Sequence, residues 1–276
     1  MRGKIVVATG ATSGIGAIAV VELARMGARI VFIARDAQRA GATLAKLEAV
    51  APGRGHSAHI ADLSLVAETR RVGGEIAASE TRIDVLINNA GAILSNRRVT
   101  AEGLEMTFAL NHMAYFTLAG CLGDRLVGSA PARVVSTASA AHYGARLDFD
   151  DLQCARGYSA WRAYNRSKLA NILFTRELAR RLAGTGVVAN CLHPGVIASR
   201  FGDEAGGWTA RLLPFVKRFA ISPTQGADTI VYLASSPEAV STSGEYFAKR
   251  RVKTPSPAAR DDAAAAKLWE KSEAIS

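Results

Sequence analysis

The order of apolar segments in this sequence predicts an α/β fold, a doubly wound parallel sheet flanked by helices. Short, continuously apolar runs rich in Val and Ile alternate with segments of helical period, and no sequence repeat accompanies the alternation. A glycine-rich turn joins the first such run to the first helical segment. Runs that are apolar throughout suit strands buried on both faces, as in a parallel sheet. Strands are expected at 5–8, 29–34, 56–61, 85–88, 133–137 and 187–192, and helices at 15–26, 37–49, 65–79, 102–126 and 160–182. In such a sheet, ligands bind in loops at the carboxyl ends of the strands.

Two stretches interrupt the rhythm. Residues 144–158 carry the acidic run Asp148, Asp150 and Asp151. Residues 200–222 space Trp208, Leu212, Leu213, Phe215, Val216 and Phe219 among Arg211, Lys217 and Arg218, which suits an amphipathic lid over an apolar pocket or an ordinary surface helix on the core.

With 276 residues, 49% hydrophobic and 21% charged, the composition excludes a disordered or collagen-like chain. No linker composition divides the chain, so one domain over 1–276 is expected, with a C-terminal extension near 249–276. Cys121, Cys154 and Cys191 are odd in number and far apart, which supports neither a disulfide framework nor a metal site. A reducing, cytoplasmic setting fits, and the apolar stretch after Met1-Arg2-Gly3-Lys4 is too short for a signal core or a membrane span. The net charge of +10 admits nucleic acid, an anionic surface or an anionic small molecule as partner. No RNP signature, zinc-finger spacing or basic zipper is present, so nucleic acid is the weaker choice.

The motif Thr9-Gly10-Ala11-Thr12-Ser13-Gly14-Ile15-Gly16 stands at the first strand-to-helix junction. Its glycines permit a tight turn, close approach of a pyrophosphate to the backbone and close helix-to-strand packing, while free amides at the helix start attract the anion. The spacing is TGxxxGxG, which resembles the short-chain dehydrogenase/reductase family, a Rossmann-type fold. Further motifs in family order extend the resemblance over nearly the whole chain: Asp62-Leu63, Asn88-Asn89-Ala90-Gly91, the YxxxK segment Tyr164 to Lys168, and His193-Pro194-Gly195.

The resemblance implies an oxidoreductase with a nicotinamide cofactor. Counting about 20 residues past the glycines lands on Asp36, the usual place for an acidic group that grips the ribose of NAD. Alignment from Gly27-Ala28-Arg29 instead puts Ala34 at that position and Arg35 after it, where a guanidinium pairs with a 2′-phosphate. Asp36 then reads as the N-cap of the next helix, Arg39 adds positive potential, and NADP(H) is favoured over NAD(H). The implied cofactor residues are Gly10, Thr12, Ser13, Gly14, Ile15, Gly16, Arg35, Asp62, Leu63, Asn89, Ala90, Gly91, Tyr164, Lys168, Pro194, Gly195, Val196 and Ser199; Ser199 stands where the family often has a threonine.

Tyr164 and Lys168, four positions apart on a predicted helix, share one face. A nearby ammonium lowers the phenol pKa from its ordinary value of about 10, suiting Tyr164 to move a proton at a carbonyl oxygen. The segment 133–142 resembles the retinol dehydrogenase-like and WW-domain oxidoreductase-like branch, which selects Ser139 over Ser136 as the serine that hydrogen-bonds the substrate oxygen. Ser136 is expected in a local structural contact. Asn111, in the Asn-His segment of the same branch, is implied as the fourth catalytic member, its carbonyl holding a water near Lys168. No GxSxG elbow accompanies His112 or His142, so a Ser-His hydrolase is disfavoured and both histidines read as structural or pocket-lining. Met113, Tyr115 and Phe116 read as core.

The branch implies a lipophilic alcohol or carbonyl as substrate, retinoid-like, steroid-like or a bulky secondary metabolite. Position alone assigns His142, Tyr143, Trp161, Trp208 and Phe215 to its pocket. A non-catalytic NADP(H)-binding regulator or scaffold on the same fold is the alternative. Monomer and homodimer both stay open, as does the basic cluster at 249–253, a solvated tail or a docking surface for an acidic partner.

Overall fold

The computed structural model describes residues 1–195 and 222–276. Its sheet has eight strands: β1 (Ile5–Thr9), β2 (Arg29–Ala34), β3 (Ser57–Ile60), β4 (Val85–Asn88), β5 (Ala132–Thr137), β6 (Val187–His193), β7 (Tyr246–Ala248) and β8 (Arg251–Val252). Their spatial order is β3-β2-β1-β4-β5-β6-β7-β8, parallel as far as β7 and antiparallel only at β8. The order reverses between β1 and β4, where a doubly wound sheet opens a crevice for its ligand.

Alternation along the strands sends side chains to two cores. Val7, Val31, Leu86 and Val134 face one layer of helices, whereas Val6, Ala8, Ile30, Phe32 and Val135 face the other. The first layer holds α3 (Val66–Ser79), α5 (Ala114–Gly128) and α6 (Ala160–Arg181); the second holds α1 (Gly14–Arg25), α2 (Ala37–Val50) and α7 (Pro223–Ser235). The C-terminal α8 (Asp262–Glu273) packs on α6. Its Trp269 stacks on Phe174 at 6.0 Å and meets the edge of Phe116 at 4.8 Å, so α8 lies across both α5 and α6.

The expected helix at 102–126 starts later and is not uniform. Met106–Phe108 forms the short α4, Ala109–Met113 is a π turn, and α5 continues from Ala114. Glu105, almost fully buried, stops the helix from starting earlier, because its carboxylate accepts from the Thr107 and Phe108 amides at 2.9 and 2.8 Å. Glu102 instead caps α3 from a distance, accepting from Val66 N at 2.6 Å and Ala67 N at 2.8 Å.

The acidic stretch 144–158 folds against this region. Asp151 accepts from the amides of Ala155 and Arg156, Gln153 Oε1 accepts from Glu105 N, and the Tyr158 hydroxyl donates to Leu94 O at 2.8 Å. The basic cluster is no loose tail. Lys249 and Arg250, with φ of 51° and 59°, make the two-residue turn of the β7-β8 hairpin. Left-handed backbone at two non-glycine residues is costly, and Arg250 offsets it with two guanidinium hydrogen bonds to Asp228 of α7 and an amide bond to Thr229 Oγ1.

Candidate active site

At the end of β1 the chain turns through Gly10 (φ 66°) and enters α1 at Gly14 (φ 56°). Gly16 has no room for a side chain: a Cβ there would lie 2.1 Å from Gly10 O and 2.4 Å from Asn89 Nδ2. A Cβ on Gly10 would lie 2.7 Å from that same nitrogen. Ser13, the N-cap of α1, makes no side-chain cap, and the first turn holds no acidic residue, so among the described residues the leading amides and their partial positive charge are left open to an anion. Thr12 and Ile15 are half-buried beside the exposed Ser13 and Gly14.

A single hydroxyl joins this turn to β4. Thr9 Oγ1 accepts from Asn89 N at 2.9 Å and Ala90 N at 3.0 Å, and Asn89 Nδ2 donates to Gly10 O at 3.3 Å. The Tyr115 hydroxyl, otherwise core, donates to Ala90 O at 2.8 Å, and Thr137 Oγ1 donates to Asn89 Oδ1 at 3.1 Å. Gly91 backs onto Asn111, whose Oδ1 a Cβ would meet at 3.1 Å. Asp62 and Leu63 follow β3: Asp62 Oδ1 accepts from the Ser64 amide and hydroxyl, and Leu63 is buried in the core.

Beyond β2, Arg35 is exposed and has no hydrogen bond or ion pair among the described residues, whereas Asp36 accepts from Arg39 N at 2.8 Å as the N-cap of α2. The carboxylate is thus spoken for by the helix, as the sequence predicts.

Asn111 lies in the π turn, fully buried. Its side chain pairs with both backbone groups of Ala92, accepting from N at 2.8 Å and donating to O at 2.9 Å, and donates to Ser167 Oγ at 2.9 Å. Ser167 in turn donates to Tyr164 O at 2.8 Å, so Asn111 and Tyr164 are linked through one hydroxyl. A π turn is an interruption often found at functional sites, because it shifts the register of backbone carbonyls.

Lys168 is fully buried, its Nζ donating to Thr137 O at 2.9 Å and lying 5.7 Å from the Tyr164 ring centre. Burial pulls the ammonium pKa down to about 7. Burial also pushes the Tyr164 phenol up to about 12, against the lowering effect of the Ser139 hydroxyl beside it. The expected lowering of the phenol by Lys168 does not accompany this arrangement of the protein's own groups, because desolvation disfavours phenolate and ammonium alike. Ser139, half-buried at the end of β5, also accepts from Ala141 N at 3.1 Å. Ser136 is fully buried and its hydroxyl finds no hydrogen-bond partner among the described residues, so the structural contact expected of it is packing alone.

Of the expected pocket residues, Tyr143 and Trp161 are about half exposed, with the Trp161 ring 6.2 Å from that of Tyr164. His142 is different. It is fully buried with both ring nitrogens bonded to backbone. Pro194 and Gly195 (φ 96°) follow β6 directly. Val196, Ser199, Trp208, Phe215 and the lid segment lie outside the described residues. Thr9, Thr137 and Ser167, which hold the site together, were not legible as such, since each acts through contacts with residues distant in sequence.

An α/β sheet with a glycine cradle on one side of its switch point and a Ser-Tyr-Lys cluster on the other defines an oxidoreductase of the doubly wound class. A profile of the short chain dehydrogenase family matches residues 4–209, and the chain belongs to that family. Human retinol dehydrogenase 13 is 39% identical over 276 residues, covering 98% of this chain and 83% of that protein. Bovine dehydrogenase/reductase SDR family member 13 is 41% identical, covering 99% of this chain and 73% of its own length. The crystal structure of an uncharacterized Mycobacterium paratuberculosis protein superposes with a TM-score of 0.80 at 32% identity, covering 99% of this chain and 93% of that one. The Pseudomonas aeruginosa RhlG/NADP active-site complex gives a TM-score of 0.71 at 29% identity, covering 90% and 94%. The chain is retinol dehydrogenase-like within its family, as the segment around Ser139 predicts.

Proposed function

We propose that this protein is an NADP(H)-dependent carbonyl reductase, or alcohol dehydrogenase in the reverse direction, acting on a lipophilic aldehyde or ketone. The observation that carries the reading is the buried Lys168 ammonium 5.7 Å from the Tyr164 ring centre and beside Gly91, with the Ser139 hydroxyl close enough to the phenol to act on it. The cradle fits a dinucleotide: the open α1 amides suit a pyrophosphate, and the glycines leave backbone where side chains would block approach. When bound there, the reduced nicotinamide supplies the hydride. Ser139 donates a hydrogen bond to the substrate oxygen, Tyr164 gives that oxygen its proton, and the Lys168 ammonium stabilises the phenolate left behind.

NADP(H) preference rests on Arg35, exposed and unpaired among the described residues, with Ala34 before it and Asp36 engaged as a cap. Neighbours solved with NADP or NADPH agree with it. The exposed rings of Tyr143 and Trp161 suit a lipophilic substrate, and the retinol dehydrogenase relatives make retinaldehyde the first compound to try. Among the described residues no helix is long and apolar enough to cross a membrane, and all three cysteines are free thiols, in keeping with a reducing, cytoplasmic setting.

The test is a panel of aldehydes and ketones, retinaldehyde included, followed at the nicotinamide absorbance with NADPH and NADH. Turnover with NADPH that Tyr164→Phe abolishes is the expected result. Binding of NADPH without turnover of any panel member would favour the non-catalytic regulator.

A further inference from the structure

Two buried histidines that the proposed chemistry leaves unused stand beside its members. His112 follows Asn111, His142 lies three residues after Ser139, and each reaches the tail that follows β8. His142 Nε2 is 3.1 Å from the Ser256 amide, which can only donate, so Nε2 is the acceptor and the ring proton sits on Nδ1. From there it donates to Ser139 O, at 2.7 Å, a carbonyl that also accepts from His142 N at 3.2 Å. The tail grips the same turn once more, where the Tyr143 hydroxyl donates to Thr254 O at 2.9 Å.

At its far end the tail is pinned to the helix of Asn111. The Ser272 hydroxyl donates to Leu268 O and is therefore the acceptor for His112 Nε2, at 2.8 Å. Arg181 covers Trp269 at 4.3 Å on the outer side. The strap is thus fixed on both sides of the site, and the turn that carries Ser139 is the part it holds by a side chain with one tautomer.

We infer that His142 is a positioning residue: it transmits the grip of the C-terminal tail at Ser256 to the backbone of Ser139, and so aims the Ser139 hydroxyl at Tyr164. The inference rests on the role proposed for Ser139. A serine that must meet both a phenol and a substrate oxygen gains from a carbonyl held by two donors, because small misplacements of a catalytic group reduce rate steeply.

Two substitutions at one position isolate the contact. Ser256→Ala removes the hydroxyl that caps the turn Pro257–Arg260 and keeps the amide; Ser256→Pro removes both, and the φ of −58° at this residue already suits proline. With retinaldehyde and NADPH, kcat of Ser256→Pro should fall about tenfold below that of Ser256→Ala, the effect of one lost hydrogen bond, with the Kd for NADPH unchanged. In a Ser139→Ala background the difference between the two should vanish, whereas a loss of fold alone would persist there. Amides 140–145 should exchange hydrogen faster in Ser256→Pro than in Ser256→Ala, a result readable without turnover. His142→Asn, which keeps a donor toward Ser139 and loses the acceptor toward Ser256, must show the same kcat loss. Equal kcat and equal exchange in the two Ser256 variants, or a tenfold difference that survives Ser139→Ala, overturns the inference. Failure of Tyr164→Phe to affect turnover would instead overturn the proposed chemistry, and the exchange comparison would still decide the tail contact.

Discussion

The two walls of the site are made of different material. The wall on β1 and β2 is backbone: glycines, open helix amides and one threonine hydroxyl that stitches β1 to β4. The wall on β5 and α6 is side chains, buried at a cost and held by partners far away in sequence, with Lys168 on Thr137, Asn111 on Ala92 and Ser167, and His142 on Ser256. A backbone wall fails by steric intrusion. A side-chain wall fails by losing a charge or a bond, and its parts are free to be a burden on stability.

The largest effect that sharpens this contrast is expected at Lys168→Met. Turnover should drop by ~10²–10⁴, the usual contribution of proton-transfer machinery. Stability, measured without added nucleotide, should rise. The pKa of about 7 in the folded chain lies below the ordinary 10.5, so the folded chain binds fewer protons between those values and stability climbs with pH across that window. The gain from methionine should therefore be full at pH 7 and below and fade as pH approaches 10.5, which thermal melts at several pH values would check. A destabilised variant at pH 6 would contradict the picture of a costly buried ammonium.

Gly16→Ala tests the other wall. Its Cβ must displace backbone at Gly10, so about 1–3 kcal/mol of stability should be lost together with most NADPH binding. Retained affinity, read by nucleotide fluorescence titration, would mean that the turn yields more easily than its geometry implies. Arg35→Ala should leave the fold alone and weaken NADPH by ~10–100-fold while leaving NADH almost unchanged, the effect of one charge-assisted contact. An unaltered ratio of the two dissociation constants would count against Arg35. The smallest effect is expected at Asp36→Ala, ~1 kcal/mol of stability from the lost cap and no change in that ratio; a switch in cofactor preference there would return Asp36 to the ribose.

The backbone wall was also the more legible one. The glycine spacing, its place between strand and helix, and Asp36 as a cap all follow from local rules, since each concerns residues within a turn of one another. Local rules could also have marked α7, whose start at Ser222-Pro223 with Gln225 forms a capping box. They could not reveal why 102–126 breaks, because Glu102 and Glu105 are claimed by α3 and by the buried start of α4. Nor could they find the β7-β8 turn, where Lys249 and Arg250 stand in place of the usual Asn-Gly and are held by Asp228.

What the sequence determined by itself was the winding of the sheet, the cradle, and the placing of Tyr164 and Lys168 on one helical face, because hydrophobic period, glycine freedom and helical spacing are properties of neighbouring residues. Only the tertiary structure decided that burial raises the phenol and lowers the ammonium, that Asn111 sits in a π turn, and that two histidines tie the site to the chain's last residues. Desolvation and long-range hydrogen bonds depend on what surrounds a group in space, and that is set by the packing of segments more than a hundred residues apart.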